Sequence, residues 1–227
     1  MDDVQRVADA VAALDPQPRE KRWTSLTYCV VDSVWSINAN YTSVVAPVVR
    51  AVASAFGDQA PLSPANRPLP DDPVPVHAFL DRFNDGTALV QLTNRQRTST
   101  HNGVLKADAA LVYARILGAH GVQTLGEAQG LLDDEARLAE VEAELRTVPG
   151  EGQHGVRRGY LWMLVGSEEH IKPDRMVLRW FRDQGVVTDP AGAKRLVYEI
   201  AAYLTSNGRP TTPWVVDHAI WLTRRGR

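Results

Sequence analysis

Apolar residues recur every three or four positions along most of this chain, the period of helices with one buried face. Val4, Val7, Ala8, Val11 and Leu14 mark a first helix, and Asp15-Pro16 stops it, because the residue before a proline is pushed out of the helical region. Trp23 to Ile37 is almost continuously apolar and predicts a buried helix. Tyr41 to Phe56 predicts a second, entered through Asn38-Ala39-Asn40 and closed by Gly57. Residues 58–75 hold six prolines and read as a loop or linker. Val76 to Phe83 is a short helix ended by Asn84-Asp85-Gly86.

Residues 93–103 are polar and rich in turn formers. Val104 to Ala119 returns to helix, with Leu105, Ala109, Val112 and Ile116 on one face. Leu125 to Leu132 and Glu135 to Leu145 follow. Further helices run from about Val156 to Val165 and from about Pro173 to Gln184, with Pro173 suited to a first turn. Asp189 caps a helix reaching about Ser206, and Pro213 opens the last. Strand alternation and internal repeats are absent from the pattern. The fold class it predicts is all-α, with about ten helices.

Composition narrows the picture little: 44% hydrophobic and 23% charged is ordinary for a globular protein. The formal net charge of −2 gives no global attraction to nucleic acid, so any such binding must come from a local positive face and backbone N–H groups. The single cysteine, Cys29, lies in an apolar run and reads as a small core residue. One cysteine excludes an intrachain disulfide, a four-cysteine iron–sulfur cluster and a zinc finger. The acidic start Met1-Asp2-Asp3-Val4 is unlike a secretory signal, and no apolar run approaches the roughly 18 residues of a membrane span. The expected location is cytoplasmic, with no membrane partner.

Candidate chemistry concentrates in one stretch. Leu145-Arg146-Thr147-Val148-Pro149-Gly150-Glu151-Gly152 is an apolar lead-in to a Pro-Gly-x-Gly turn. Glycines let the backbone turn sharply and approach a partner closely, and N–H groups there, next to a helix N-terminus, suit an anion such as phosphate. Lys172-Pro173-Asp174-Arg175-Met176 then places a lone carboxylate at the opening of another helix. By itself such a turn is also what joins two helices in many proteins, and Asp174 has the ordinary alternative of capping the helix it begins.

The order of these segments resembles the helix-hairpin-helix DNA glycosylases of the endonuclease III type, here without their iron–sulfur cluster. Three segments carry the resemblance: Val148-Pro149-Gly150-Glu151-Gly152, Tyr160-Leu161-Trp162-Met163-Leu164-Val165-Gly166 and Pro173-Asp174-Arg175-Met176-Val177-Leu178-Arg179. A fourth, Cys29 to Thr42, is similar to the family's helix ending in Ser-x-Gln-x, with Asn38 in the place of the glutamine. The resemblance covers most of residues 23–182. Glu151 stands where the family has an apolar residue between the glycines, and Gln153-His154-Gly155 is a short insertion.

The resemblance implies a two-lobed helical fold. Residues 23–170 would form a central lobe with the hairpin at about 145–165, and residues 1–22 with 171–227 a second lobe, with a base-binding cleft between them. It implies a glycosylase that hydrolyses the N-glycosidic bond of a flipped damaged or modified base in double-stranded DNA. The alternative is a non-catalytic DNA-binding module that keeps the hairpin. Asp174 would be the catalytic carboxylate, opposing the positive charge that develops on the sugar. Gly150, Gly152, Gly155 and Arg157 would grip a phosphate, Asn38 would enter the duplex, and Arg95 and Arg97, with Lys106 and His101 nearby, would meet the other strand.

Asp32, Trp35, Tyr28 and Tyr41 would line the base pocket, Asp32 accepting from an exocyclic amine and the aromatics stacking. The ordinary alternatives are a buried Asp32 paired with an arginine and aromatics that belong to the core. Bifunctional relatives carry a lysine in the hairpin's second helix. Here that position is His154 or, counted back from the aspartate, Val156, and the four lysines are Lys21, Lys106, Lys172 and Lys194. A monofunctional, monomeric enzyme with no metal or organic cofactor is expected, Lys172 being the one lysine near Asp174.

Overall fold

The computed structural model describes residues 3–151 and 154–223. The chain is predominantly helical, and its contacts divide it into two compact units, Met1–Arg19 with Ser167–Arg227, and Glu20–Gly166. In chain order, the first unit contributes α1 (Asp3–Ala12). The second holds β1 (Lys21–Trp23), α2 (Leu26–Trp35), a π-helical turn (Tyr41–Val45), α3 (Ala46–Ala55), β2 (Leu62–Pro64), α4 (Val76–Arg82) and α5 (Gly86–Leu92). It continues through α6 (Lys106–Ala119), α7 (Leu125–Leu132), α8 (Glu135–Leu145) and α9 (Val156–Val165). The first unit resumes with α10 (Arg175–Asp183), α11 (Pro190–Ser206) and α12 (Pro213–Leu222).

The larger unit is built around α2. Every residue of this helix is buried, so it needs no polar face and reads as a continuous apolar run. Helices α3, α6 and α9 pack against it. Ser25 caps its start by accepting from the Thr27 N–H at 3.1 Å. The proline-rich segment is no free linker. Asp72 accepts the N–H groups of both Leu26 (2.9 Å) and Leu125 (2.8 Å), tying the starts of α2 and α7 together. The Val74 carbonyl accepts from the Ser25 and Thr27 hydroxyls in turn.

Three features differ from the sequence pattern. Lys21–Trp23 and Leu62–Pro64 pair as a two-stranded antiparallel sheet, with Trp23 opposite Leu62, so Trp23 lies before the helix and not within it. Three residues are too few for an alternation to register. Gly86–Leu92 forms α5, capped by Asp85, although its leading glycine reads as a stop signal. The segment from Tyr41 begins as a π-helix and becomes α-helical only at Ala46.

In the smaller unit, α1 packs on α11, and α11 and α10 pack on α12. Val7, Val11, Phe181, Val197, Ile200 and Ile220 are among its buried core. Among the described residues, no helix is long and apolar enough to cross a membrane.

Candidate functional site

The Pro-Gly turn is closed by an internal ion cluster. Gly150 has φ +84 and Gly155 has φ +63, backbone conformations that glycine adopts without strain. A Cβ on Gly150 would also overlap the Thr98 side chain, so the turn lies directly against the polar 93–105 segment. Glu151 points inward, 6% exposed. Its Oε1 accepts from the Arg158 N–H at 3.2 Å and from Arg158 Nη1 at 3.0 Å. Its Oε2 accepts from the Tyr113 hydroxyl and lies 3.5 Å from Arg157 Nε. Arg157 Nη2 donates to the Gly150 carbonyl. Burial raises the Glu151 carboxyl, against the Tyr113 hydroxyl and the two guanidiniums that lower it. Burial and the neighbouring Glu151 push the Tyr113 phenol well up.

This arrangement corrects the expected role of Arg157. Its side chain is 2% exposed and engaged with the turn's own carbonyl and carboxylate, so it does not reach outward to a phosphate. Arg158 is likewise turned in, with Nε 3.8 Å from Glu142. Among the described residues of the turn, Pro149, Gly150 and His154 are exposed and Gly155 is partly exposed. Gly152 lies outside the described residues.

The end of α2 carries a second polar cluster. Asp32 is fully buried. Its Oδ2 accepts from Trp23 Nε1 (2.8 Å) and the Tyr41 hydroxyl (3.2 Å), and its Oδ1 from the Ser36 hydroxyl (3.0 Å). The Tyr160 hydroxyl, from α9, bonds to both Asp32 and Ser36. Burial, then the charges of Asp32 and Tyr41, raise the Tyr160 phenol well above its ordinary value. Fully buried and engaged by these donors, Asp32 is not open to an incoming amine, which corrects its expected place in the base pocket. It holds the hydroxyls of Tyr41 and Tyr160, both partly exposed.

Tyr28 and Trp35 are corrected as well. Both are 0% exposed in the core, where neither ring presents a face to a base. The Tyr28 hydroxyl donates to Asp58, and burial together with that carboxylate raises the phenol well above its ordinary value. Trp35 Nε1 donates to Asn94 at 3.1 Å.

Beyond α2 the chain turns at Asn38, which is exposed with φ +50. Arg95 and Arg97 are exposed on the polar segment, Arg97 Nη1 donating to the Gly103 carbonyl at 2.7 Å. Lys106, expected beside them at the surface, is 1% exposed. Its Nζ donates to the carbonyls of Trp35 (2.8 Å) and Ile37 (2.6 Å) and to Gln96 Oε1 (2.9 Å).

In the smaller unit, Asp174 caps α10. Its Oδ1 accepts from the N–H groups of Met176 (2.7 Å) and Val177 (3.3 Å), and its own N–H donates to the Lys172 carbonyl at 2.6 Å. The side chain remains partly exposed, as does Lys172. Asp217 on α12 is 3% exposed; its Oδ1 has no hydrogen-bond partner, and the carboxylate accepts a bond from the Lys172 backbone. Burial and then the Asp174 charge push the Asp217 carboxyl well up, against the lowering effect of Lys172. His218 stacks between Trp214 (4.6 Å) and Trp221 (5.6 Å), away from any acid–base pairing with its neighbour Asp217 in sequence.

A family model described as a domain of unknown function, DUF8548, matches residues 2–225. The chain belongs to the DUF8548 family. No curated protein and no solved structure matches it.

In this DUF8548 chain, the larger unit brings the Gly150 turn, the Arg95 and Arg97 segment and the Asn38 turn into one contacting series through Thr98, Gln96 and Lys106. Sequence reasoning missed Tyr160 and the inward role of Lys106. The signal for Lys106 was available: a cation at the first position of a helix opposes that helix's dipole and needs another reason to be there. Among the described residues, no group of three metal-ligating side chains gathers.

Proposed function

We propose that this protein is a monofunctional DNA glycosylase with a two-lobed helix-hairpin-helix fold, acting on a damaged or modified base in duplex DNA. The observation that carries the reading is Asp174, a partly exposed carboxylate in the segment order that resembles those enzymes. Two backbone N–H bonds to Oδ1 fix its direction. A fixed anion opposes the positive charge that builds on the sugar as the base departs, and orients or deprotonates the attacking water. Capping and catalysis are compatible, because capping occupies Oδ1 and the carboxylate has a second oxygen.

The turn at Gly150 offers backbone groups to a phosphate, Arg95 and Arg97 supply local positive charge, and Asn38 projects from a left-handed turn as the group that enters the duplex. Tyr41, held by Asp32, is the aromatic of the expected base pocket that keeps exposed surface. No lysine stands at His154 or Val156, so hydrolysis leaves an abasic site and no Schiff base forms.

A panel of duplexes carrying different modified bases, read out by cleavage at abasic sites, tests the proposal. Release of a base from at least one duplex is expected. Duplex binding without release across the panel would assign a non-catalytic module, and neither binding nor release would overturn the DNA reading.

A further inference from the structure

Lys106 is a costly residue for its position. A buried ammonium loses its hydration and must recover it from partners. Three oxygens that receive it belong to the carbonyls of Trp35 and Ile37 and the amide of Gln96. Lys106 also opens α6, where a cation opposes the helix's own dipole.

The carbonyls it meets explain the cost. The last turn of a helix leaves carbonyls without intrahelical partners, and α2 has no basic residue of its own there. A glycine commonly ends such a helix. This chain instead enters the left-handed region at Asn38, with a side chain that stays exposed. Lys106 thus fixes the carbonyls on the near side of Asn38 while leaving the asparagine itself in solvent.

The same Nζ reaches the polar segment. Gln96 gives its side-chain oxygen to Lys106, and its backbone carbonyl accepts the Lys106 N–H at 2.9 Å. Asn94 joins the same junction, accepting from Trp35 Nε1 and from the Gln96 N–H, both at 3.1 Å. Gln96 lies between the exposed Arg95 and Arg97.

We infer that Lys106 is a positioning residue that locks the Asn38 turn and the Arg95–Arg97 segment into one preorganised surface for a duplex nucleic acid. The lock is a property of the fold. Its duplex-facing role rests on the DNA reading above, and it assigns a task to a residue that touches no DNA. Preorganisation matters because a group that enters a duplex loses less conformational entropy if its backbone is already fixed.

The test uses the full chain with Lys106→Met, which keeps length and removes charge, and Gln96→Ala, which removes one link. Hydrogen exchange followed by mass spectrometry should show Lys106→Met opening residues 36–41 and 94–98 by about tenfold, with α8 unchanged. Gln96→Ala should open 94–98 alone. A rise spread over the whole unit, or confined to one segment in Lys106→Met, would overturn the lock. A duplex with 2-aminopurine beside an abasic site gives the second readout. Wild type should raise its fluorescence, and Lys106→Met and Asn38→Ala should both lose the rise at saturating protein. An unchanged rise in Lys106→Met overturns the positioning role. A wild type that binds no duplex overturns the DNA-facing role, while the exchange result still judges the lock by itself.

Discussion

Glu151 Oε1 accepts two bonds from one residue, Arg158, through its backbone N–H at 3.2 Å and its Nη1 at 3.0 Å. This pairing converts an acid in a Gly-rich turn from a surface charge into the internal clasp of that turn. Glu151→Ala would leave Arg157 and Arg158 buried without their carboxylate. Breaking one partner of a buried pair costs about 3–5 kcal/mol. A urea titration should show the loss as a lower midpoint, and an unchanged midpoint would contradict the clasp.

Gly150→Ala places a side chain in the left-handed region and against Thr98. The expected cost is about 1–3 kcal/mol, that of a strained backbone position. If the turn holds a phosphate, the variant should also weaken binding to every duplex sequence about equally, since phosphate contacts position without reading bases. Anisotropy titrations with several sequences check this, and loss confined to some sequences would contradict it.

The helices of this chain were legible because their apolar faces repeat. Leu125–Leu132, Glu135–Leu145 and Val156–Val165 carry the same bounds in sequence pattern and structure. Where the pattern misled, side-chain chemistry overrode it. Trp23 looks like the start of a helix, yet pairs with Leu62 in a sheet too short to leave a signal. Arg157 and Lys106 are charged and read as surface, and Asp32 read as buried but with other partners. Their burial depends on partners distant in the chain: Tyr113 for the cluster holding Arg157, Trp35 and Ile37 for Lys106, Tyr160 for Asp32. Asp174 was legible as a helix cap and is one.

Asp217 gives a pH signature in stability. Burial and the Asp174 charge raise its folded carboxyl well above the unfolded value of about 3.8, with Lys172 opposing. The folded state therefore binds this proton more tightly than the unfolded one. Its contribution is complete below the unfolded pKa and is lost as pH rises through the folded one. Asp217→Asn, which cannot ionise, should melt near wild type at low pH and gain on it steadily as pH rises. Parallel melting curves that never converge or diverge with pH would show that Asp217 ionises as an ordinary aspartate.

A Schiff base needs an amine free to attack the sugar. Lys106 is committed to three oxygens within the core, and no lysine stands at the hairpin position. Borohydride treatment during incubation with a substrate duplex should trap no protein–DNA adduct. An adduct that disappears in Lys172→Ala would reveal Lys172 as a nucleophile.

The central claim rests on Asp174, and one substitution separates its two possible tasks. Asparagine caps a helix about as well as aspartate, so Asp174→Asn should retain the fold and a melting temperature near that of wild type. It cannot carry the charge that opposes a developing cation. Single-turnover base release from a substrate duplex is the decisive measurement. A fall on the order of a hundredfold or more, the scale of one positioned acid–base or electrostatic group, is the predicted result. Release by Asp174→Asn at the wild-type rate would contradict the account.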